Sequence, residues 1–209
     1  MAKLIIDTSC SKIRLALSFD GHVFTYESDE KNIQAEQLAL KLDSLLKKHH
    51  CLFSQIKTIY CVVGPGSFTG IRVAIAFVKG LVLEQNIKVV AVTNFALYLA
   101  QFKEQFELCG KAEIFINCGK NRAEFFHQII EKDSGKISEA KIVSHSEIDH
   151  VNSGNLIISD FYTDNLRQKE KFYYIEDNKL KVERILALNE QILNSQFEPL
   201  YIRSTYVKQ

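Results

Sequence analysis

An α/β fold in two parts, with mixed sheets flanked by helices, is predicted by three features of the 209-residue chain. Apolar runs of strand length alternate with longer stretches in which leucines recur every three or four residues, the helical period. A glycine-rich segment, Gly64-Pro65-Gly66-Ser67-Phe68-Thr69-Gly70, separates a buried-strand pattern from a helical one. After Gly110 the succession of paired strands and helix starts again, which divides the chain into an N-terminal lobe, 1–105, and a smaller C-terminal lobe, 106–209. A chain of this size buries roughly 70% of the surface its unfolded form exposes, so it needs no disulfide or metal to hold it together.

Each element has its own signal. Leu4-Ile5-Ile6 is a continuous apolar run that ends at Asp7-Thr8-Ser9 and reads as a buried strand. Ile13, Leu15, Leu17 and Phe19 alternate with Arg14, Ala16 and Ser18, the two-residue period of a second strand. Asp20-Gly21 predicts a two-residue hairpin turn, because both central positions of that turn need positive φ, and His22 to Glu27 returns as a third antiparallel strand. Asn32 to His49 predicts a helix with Leu38, Leu42, Leu45, Leu46 and His49 on one stripe and Leu40 off it. Thr58 to Val63 is a buried strand, and the helix behind the glycine segment runs to about Glu84. Val89 to Val92 is another strand, after which Thr93 or Asn94 caps a helix to about Glu107. Short connections in the order strand, helix, strand imply a parallel crossover.

In the second half, Ala112 to Asn117 and Arg122 to Ile130 predict a strand pair joined near Gly119. Lys141 to Val143 and Leu156 to Ser159 are shorter strands. Val182, Ile185, Leu186, Leu188, Ile192 and Leu193 predict a C-terminal helix, and Pro199 to Arg203 a final extended segment.

Composition narrows the function. Twenty-six basic and 25 acidic residues leave a net charge of +1, without the basic excess of a protein that grips nucleic acid alone. The most Lys-rich stretch, Asp164 to Arg184, carries six basic and five acidic residues and reads as a solvated surface. Five cysteines, an odd number with no CxxC pair, suit a reducing cytosol. The first residues lack the pattern of a secretory signal, and no apolar run reaches the roughly 20 residues of a membrane helix. The expectation is a soluble cytoplasmic chain.

The glycine segment resembles several known loops without fitting them. A phosphate-binding P-loop ends in Gly-Lys-Ser/Thr, whereas Gly70 is followed by Ile71-Arg72. The dinucleotide fingerprint GxGxxG differs in spacing, and Thr93-Asn94 stands where that fold places an acid. Ser67 lacks the second glycine of a nucleophile elbow. The loop is therefore either a tight turn in which Ser67 or Thr69 caps the helix, or an anion site at a helix N-terminus. Asp7 with Thr8 and Ser9 is open to two readings as well, a metal–phosphate or base site and a plain turn. No histidine pair has metal-ligand spacing.

The helix behind the loop, Ile71 to Leu83, has only Arg72 and Lys79 as charges, seven residues apart and on one face. Its remaining apolar surface needs a cover, either the rest of the chain or another subunit. Ala74, Ala76 and Gly80 would let a neighbour approach closely.

Together, Leu4 to Ser9 and Gly64 to Arg72 resemble the TsaB family, also called YeaZ, whose marks are an opening I-x-D-T-S strand and GPGSFTG[VI]R. Gln34 to Leu38 is similar to the family's H-S-E-x-L segment, Val90 to Phe95 to V-x-V-x-S/T-L, and Pro199 to Arg203 to P-x-Y-L-R. Gln34 stands where many relatives have His, and Ala74 where many have Gly. The resemblance implies an actin-like ATPase (ASKHA) fold of two ribonuclease-H-like lobes, the second reduced. It implies a non-catalytic scaffold in the formation of tRNA threonylcarbamoyladenosine, paired with the catalytic paralogue TsaD and joined by an ATPase, TsaE. It places tRNA contact in the complex, no tightly bound cofactor in the chain, ATP or ADP at the partner interface, and a homodimer in the isolated protein. The implied partner surface is Glu36, Leu38, Leu42 and Leu45 on the first helix with Arg72, Val73, Ala76, Phe77 and Gly80 on the second. Asp7, Thr8, Ser9, Gly64, Gly66, Ser67 and Gly70 form the candidate nucleotide loop. An ASKHA-type kinase or ATPase and a peptidase are the alternatives.

Overall fold

The computed structural model describes residues 1–118, 124–148, 150–151, 154–176, 179–193 and 196–202. The chain divides into two compact units, Met1–Asn94 with Leu193–Leu200, and Phe95–Ile192 with Tyr201–Gln209. The division thus falls at Asn94/Phe95, and a late segment rejoins the first unit.

The first unit is a five-stranded sheet in the order β3-β2-β1-β4-β5. Its strands are β1 (Ala2–Asp7), β2 (Arg14–Phe19), β3 (His22–Glu27), β4 (Ile56–Gly64) and β5 (Lys88–Thr93). The first three are antiparallel, and β1, β4 and β5 are parallel. Asp20 and Gly21 both have positive φ, 51° and 76°, as the hairpin turn requires. Helices α1 (Gln34–Lys48) and α2 (Phe68–Val82) make the crossovers β3-α1-β4 and β4-α2-β5. They pack on one sheet face against Leu4, Ile6, Leu15, Ile59 and Cys61. Phe197 joins this core, and Leu200 N–H donates to the Val63 carbonyl at 2.8 Å beside the end of β4. Arg203, the last residue of the expected extended segment, lies outside the described residues.

The second unit opens with α3 (Asn94–Gln101) and α4 (Lys103–Cys109) and builds its sheet from β6 (Lys111–Asn117), β7 (Glu124–Glu131), β8 (Lys141–Ser144), β9 (Leu156–Ser159) and β10 (Phe172–Tyr174). The order is β10-β9-β6-β7-β8, the same topology as the first sheet, with β6, β7 and β8 in the places of β1, β2 and β3. The crossovers shrink to single turns, α5 (His145–Ile148) and α6 (Asp164–Arg167), where the first unit has helices of 15 residues. The second sheet thus repeats the topology of the first, with its crossover helices reduced. The joint near Gly119 and the start of β7 at Arg122 lie outside the described residues.

Three expectations need correction. The single helix from Thr93/Asn94 to Glu107 is two helices, broken where Phe102 leaves helical geometry at φ −127°, ψ 38°. The C-terminal helix is a 3₁₀ helix, Val182–Ala187, followed after an extended Leu188 by α7 (Glu190–Leu193). Its buried residues, Val182 and Ile185, stand three apart, which matches the 3₁₀ repeat of 3.0 residues. Finally, Leu38, Leu42 and Leu45 are buried in the first unit's own core, so these three side chains are not on the partner surface where they were expected. A 15-residue amphipathic helix buries one stripe, and its own sheet has taken it.

Candidate functional site

The end of β1, the glycine segment and the start of α2 meet at one edge of the first sheet. Asp7, Thr8 and Ser9 are all buried there. One Asp7 oxygen accepts from the Ser9 N–H at 2.8 Å and from the Ser9 hydroxyl at 2.6 Å. The other faces Arg14 Nη1 at 3.5 Å, and Arg14 Nε donates to Glu27 at 2.9 Å. Lys12 completes the row at 2.5 Å from the second Glu27 oxygen. The turn is thus locked by a buried carboxylate whose oxygens face protein groups.

The glycines of the loop lie against protein backbone and the Ile71 side chain. The Ser67 N–H donates to the Ser9 carbonyl at 2.6 Å, and the Thr8 hydroxyl donates to the Gly70 carbonyl at 2.7 Å. A Cβ on Gly66 would drive into the Ser9 carbonyl, and one on Gly70 into the Thr8 carbonyl. Gly64, at φ 110°, lies against Ile71, whose Cδ1 would stand 2.9 Å from an added Cβ. Backbone approach of this kind is what glycine permits. Ser67 is the α2 cap, its Oγ accepting from the Gly70 N–H at 3.2 Å, so the hydroxyl serves the helix start.

Asn94 ties the loop down. Its amide donates to the Pro65 carbonyl at 2.6 Å and to the Ser9 hydroxyl at 2.9 Å. Gln34, in place of the family's His, donates to the Cys10 carbonyl at 2.8 Å. Arg14, Glu27 and the tying role of Asn94 are absent from the sequence-based site. The Arg14–Glu27 pair was nonetheless encoded: a two-residue turn at Asp20-Gly21 sets Phe19 opposite His22 and therefore Arg14 opposite Glu27.

Burial raises the Glu27 carboxyl, but hydrogen bonds from Lys12 and Arg14 outweigh it and hold the group below its ordinary value. A carboxylate depressed in the folded state stabilises fully above its unfolded pKa, about 4.3, and loses that contribution as pH falls through the lower folded value. Glu27→Gln should therefore destabilise the chain at neutral pH and by progressively less below about pH 4. Urea unfolding across a pH series measures the gap; a gap independent of pH would show that this ion pair contributes nothing.

On α2 the outward residues are Arg72, Val73, Ala76, Phe77, Lys79 and Gly80, with Val73 and Phe77 half-buried and the others exposed. Phe68 and Leu83 extend the strip at 56% and 72% exposure, and Arg72 lies over the Phe68 ring at 3.7 Å. On the neighbouring α1, Glu36 is exposed and Leu40 is 59% exposed. The structure thus brings five of the expected partner residues to one helix face, keeps Glu36 on the surface, and gathers the seven loop residues around the DTS turn. Among the described residues, no group of His, Cys, Asp and Glu could hold a metal ion, and no helix is long and apolar enough to cross a membrane.

Comparison with known proteins gives consistent likenesses. Residues 32–109 match a family model described as TsaD: tRNA N6-adenosine threonylcarbamoyltransferase. The chain is 30% identical over 98 residues, 47% of its length and 44% of the relative's, to the tRNA threonylcarbamoyladenosine biosynthesis protein TsaB of Buchnera aphidicola subsp. Baizongia pistaciae (strain Bp). It is 23% identical over 129 residues, 62% of its length and 54% of the relative's, to the TsaB of Haemophilus influenzae (strain ATCC 51907 / DSM 11121 / KW20 / Rd). The matches therefore span about half the length of these curated relatives. In structure the chain superposes on YeaZ from Pseudomonas aeruginosa with a TM-score of 0.71 at 18% identity, over 96% of this chain and 99% of that one, a likeness of fold.

Proposed function

Because the chain belongs to the TsaB/YeaZ family, we propose that it acts in tRNA threonylcarbamoyladenosine biosynthesis as a non-catalytic scaffold that binds and activates a TsaD-type paralogue. The outward face of α2 carries this reading. Exposed Ala76 and Gly80, with half-buried Val73 and Phe77, form an apolar, small-residue strip between Phe68 and Leu83 that its own unit covers only in part. Gly80 is the informative residue. Its φ is not positive, and a Cβ there would meet nothing within 4 Å, so the fold itself gives no reason for a glycine in mid-helix. Glycine in a helix interior costs about 1 kcal/mol relative to alanine, a cost that close approach by a second helix would offset. Glu36 and Leu40 on α1 extend the surface, and a TsaE-type ATPase would join the assembled pair. Without its partner the same face would pair two copies of the chain.

The loop supports a structural role for the DTS turn. Asp7 is enclosed, and the Gly66 and Gly70 approaches are filled by Ser9 and Thr8 backbone, so ATP or ADP would be held at the partner interface rather than here. A kinase reading asks for an accessible carboxylate and a peptidase reading for a hydroxyl activated by a base. The Asp7 and Ser67 geometries favour neither.

Mixing the chain with its cognate TsaD paralogue should give a stable heteromeric species by light scattering, and failure to associate with or without nucleotide would refute the reading. Gly80→Ala should raise the isolated chain's stability by about 0.5–1 kcal/mol in urea unfolding. Gly80→Leu should weaken association while the chain stays folded; unchanged association would mean that no helix approaches this point.

A further inference from the structure

The second unit carries a surface that the partner reading leaves unused, and the inference drawn from it does not depend on that reading. A cleft of about 420 Å³ opens at the C-terminal ends of β6 and β9, where Asn117, Asp160, Phe161, Tyr162 and Tyr174 converge. Tyr174 is also a wall of a second hollow of about 230 Å³, which gathers Phe102, Lys179, Lys181 and Arg184. Tyr162 and Tyr174 meet edge to face at 5.5 Å and are 52% and 44% exposed, an expensive placement for two large rings in water.

The polar groups around the rings are held in place. Asp160 accepts from the Asn117 N–H at 2.9 Å through one oxygen and from the Tyr98 hydroxyl at 3.3 Å through the other. A carboxylate has about four acceptor positions, so fixing it in this way sets the direction in which it receives further donors. Arg167 stacks over Tyr162 at 3.6 Å. In the adjoining hollow Arg184 donates to the Gln101 carbonyl at 2.5 Å and Lys179 pairs with Glu176 at 2.9 Å, while Lys181 enters no ion pair among the described residues.

Aromatic faces alternating with cations are the pattern of single-stranded nucleic acid recognition: bases stack on rings, and lysines and arginines follow the backbone. A paired base cannot enter such a cleft, and a hollow of this size suits a single nucleoside. We propose that this strip binds an unpaired nucleotide of an RNA strand. Its base enters the cleft and packs against the exposed Tyr174 ring, with its amino edge toward Asp160, and the neighbouring phosphate lies against Lys181 and Arg184. This assigns the chain a direct RNA contact that its near-neutral net charge did not suggest.

The test uses the isolated full-length chain, without any partner protein, and a short fluorescein-labelled single-stranded RNA followed by anisotropy. Saturable binding is expected. Tyr174→Ala should weaken it at least about fivefold, the low end of what one stacked base contributes. Lys181→Gln should make the slope of log affinity against log salt shallower by about 0.7, the loss of one phosphate contact to a single strand. Both side chains are exposed, and circular dichroism confirms that the variants remain folded. No saturable binding, or binding unaltered in both variants, overturns the proposal. So does a fully paired hairpin bound as tightly as the strand, or a free mononucleotide that competes at equal affinity, which would assign the cleft to a small molecule instead.

Discussion

Ala76→Glu is expected to leave the chain folded and to lower its affinity for a TsaD-type partner by 100-fold or more. Ala76 is exposed in the middle of the outward face of α2, so the isolated protein loses no packing, and its stability should change by no more than about 0.5 kcal/mol. Covered by a partner, the new carboxylate would be desolvated without a counter-charge. Such an uncompensated charge costs about 3–5 kcal/mol, and about 1.4 kcal/mol is a factor of ten in Kd. Val73→Glu and Phe77→Glu should also abolish binding, but both positions are half-buried and lean on the first unit's core, so part of their effect would be on folding. Ala76 separates the two. Light scattering of the mixture, with a thermal melt of the variant alone, makes the measurement. A folded Ala76→Glu protein that associates like the wild type would show that this face is not the docking surface.

Gly70→Ala should be the most destabilising of the glycine-to-alanine changes compared among the described residues, costing about 3 kcal/mol or more in urea unfolding. Overpacking a filled site typically costs about 1–3 kcal/mol, and here the obstacle is the Thr8 carbonyl rather than a side chain that can swing away. Relief would require α2 to move off the end of β1, breaking the Thr8–Gly70 hydrogen bond and loosening Ala74, Ile75 and Val78 from the core. Gly80→Ala, ten residues along the same helix, should shift stability in the opposite direction, because its added methyl meets nothing. A loss below about 1 kcal/mol at Gly70 would mean that the helix start is compliant and the loop does not depend on backbone contact.

Much of the first unit is legible in the sequence. The Asp20-Gly21 turn, the apolar runs of β1, β4 and β5, and the glycine segment ahead of α2 each carry a local signal, and each element formed where that signal lay. Helical spacing put Arg72 and Lys79 on one face, and both are exposed; of the residues that the family resemblance added, Ala76 and Gly80 are exposed and Val73 and Phe77 half-buried. The leucines of α1 misled for an instructive reason. Periodicity identifies the apolar stripe of a helix but not what covers it, and Leu38, Leu42 and Leu45 are covered by their own sheet. In the second unit, where α5 and α6 are single turns, the periodic signal nearly vanishes, and the cleft around Asp160 and Tyr174 left no trace in sequence order.

By itself, then, the sequence determined the strand and helix succession, the loop that links β4 to α2, and the polarity of the α2 face, because each depends on residues within a few positions of one another. The tertiary structure alone decided that the loop glycines receive the Thr8 and Ser9 backbone, that Asn94 ties Pro65 to Ser9, and that Tyr162, Tyr174 and Asp160 share a cleft. Thr8 and Gly70 stand 62 positions apart, Ser9 and Asn94 85, and Asn117 and its cleft partner Asp160 43, and only the packing within each sheet brings them within reach.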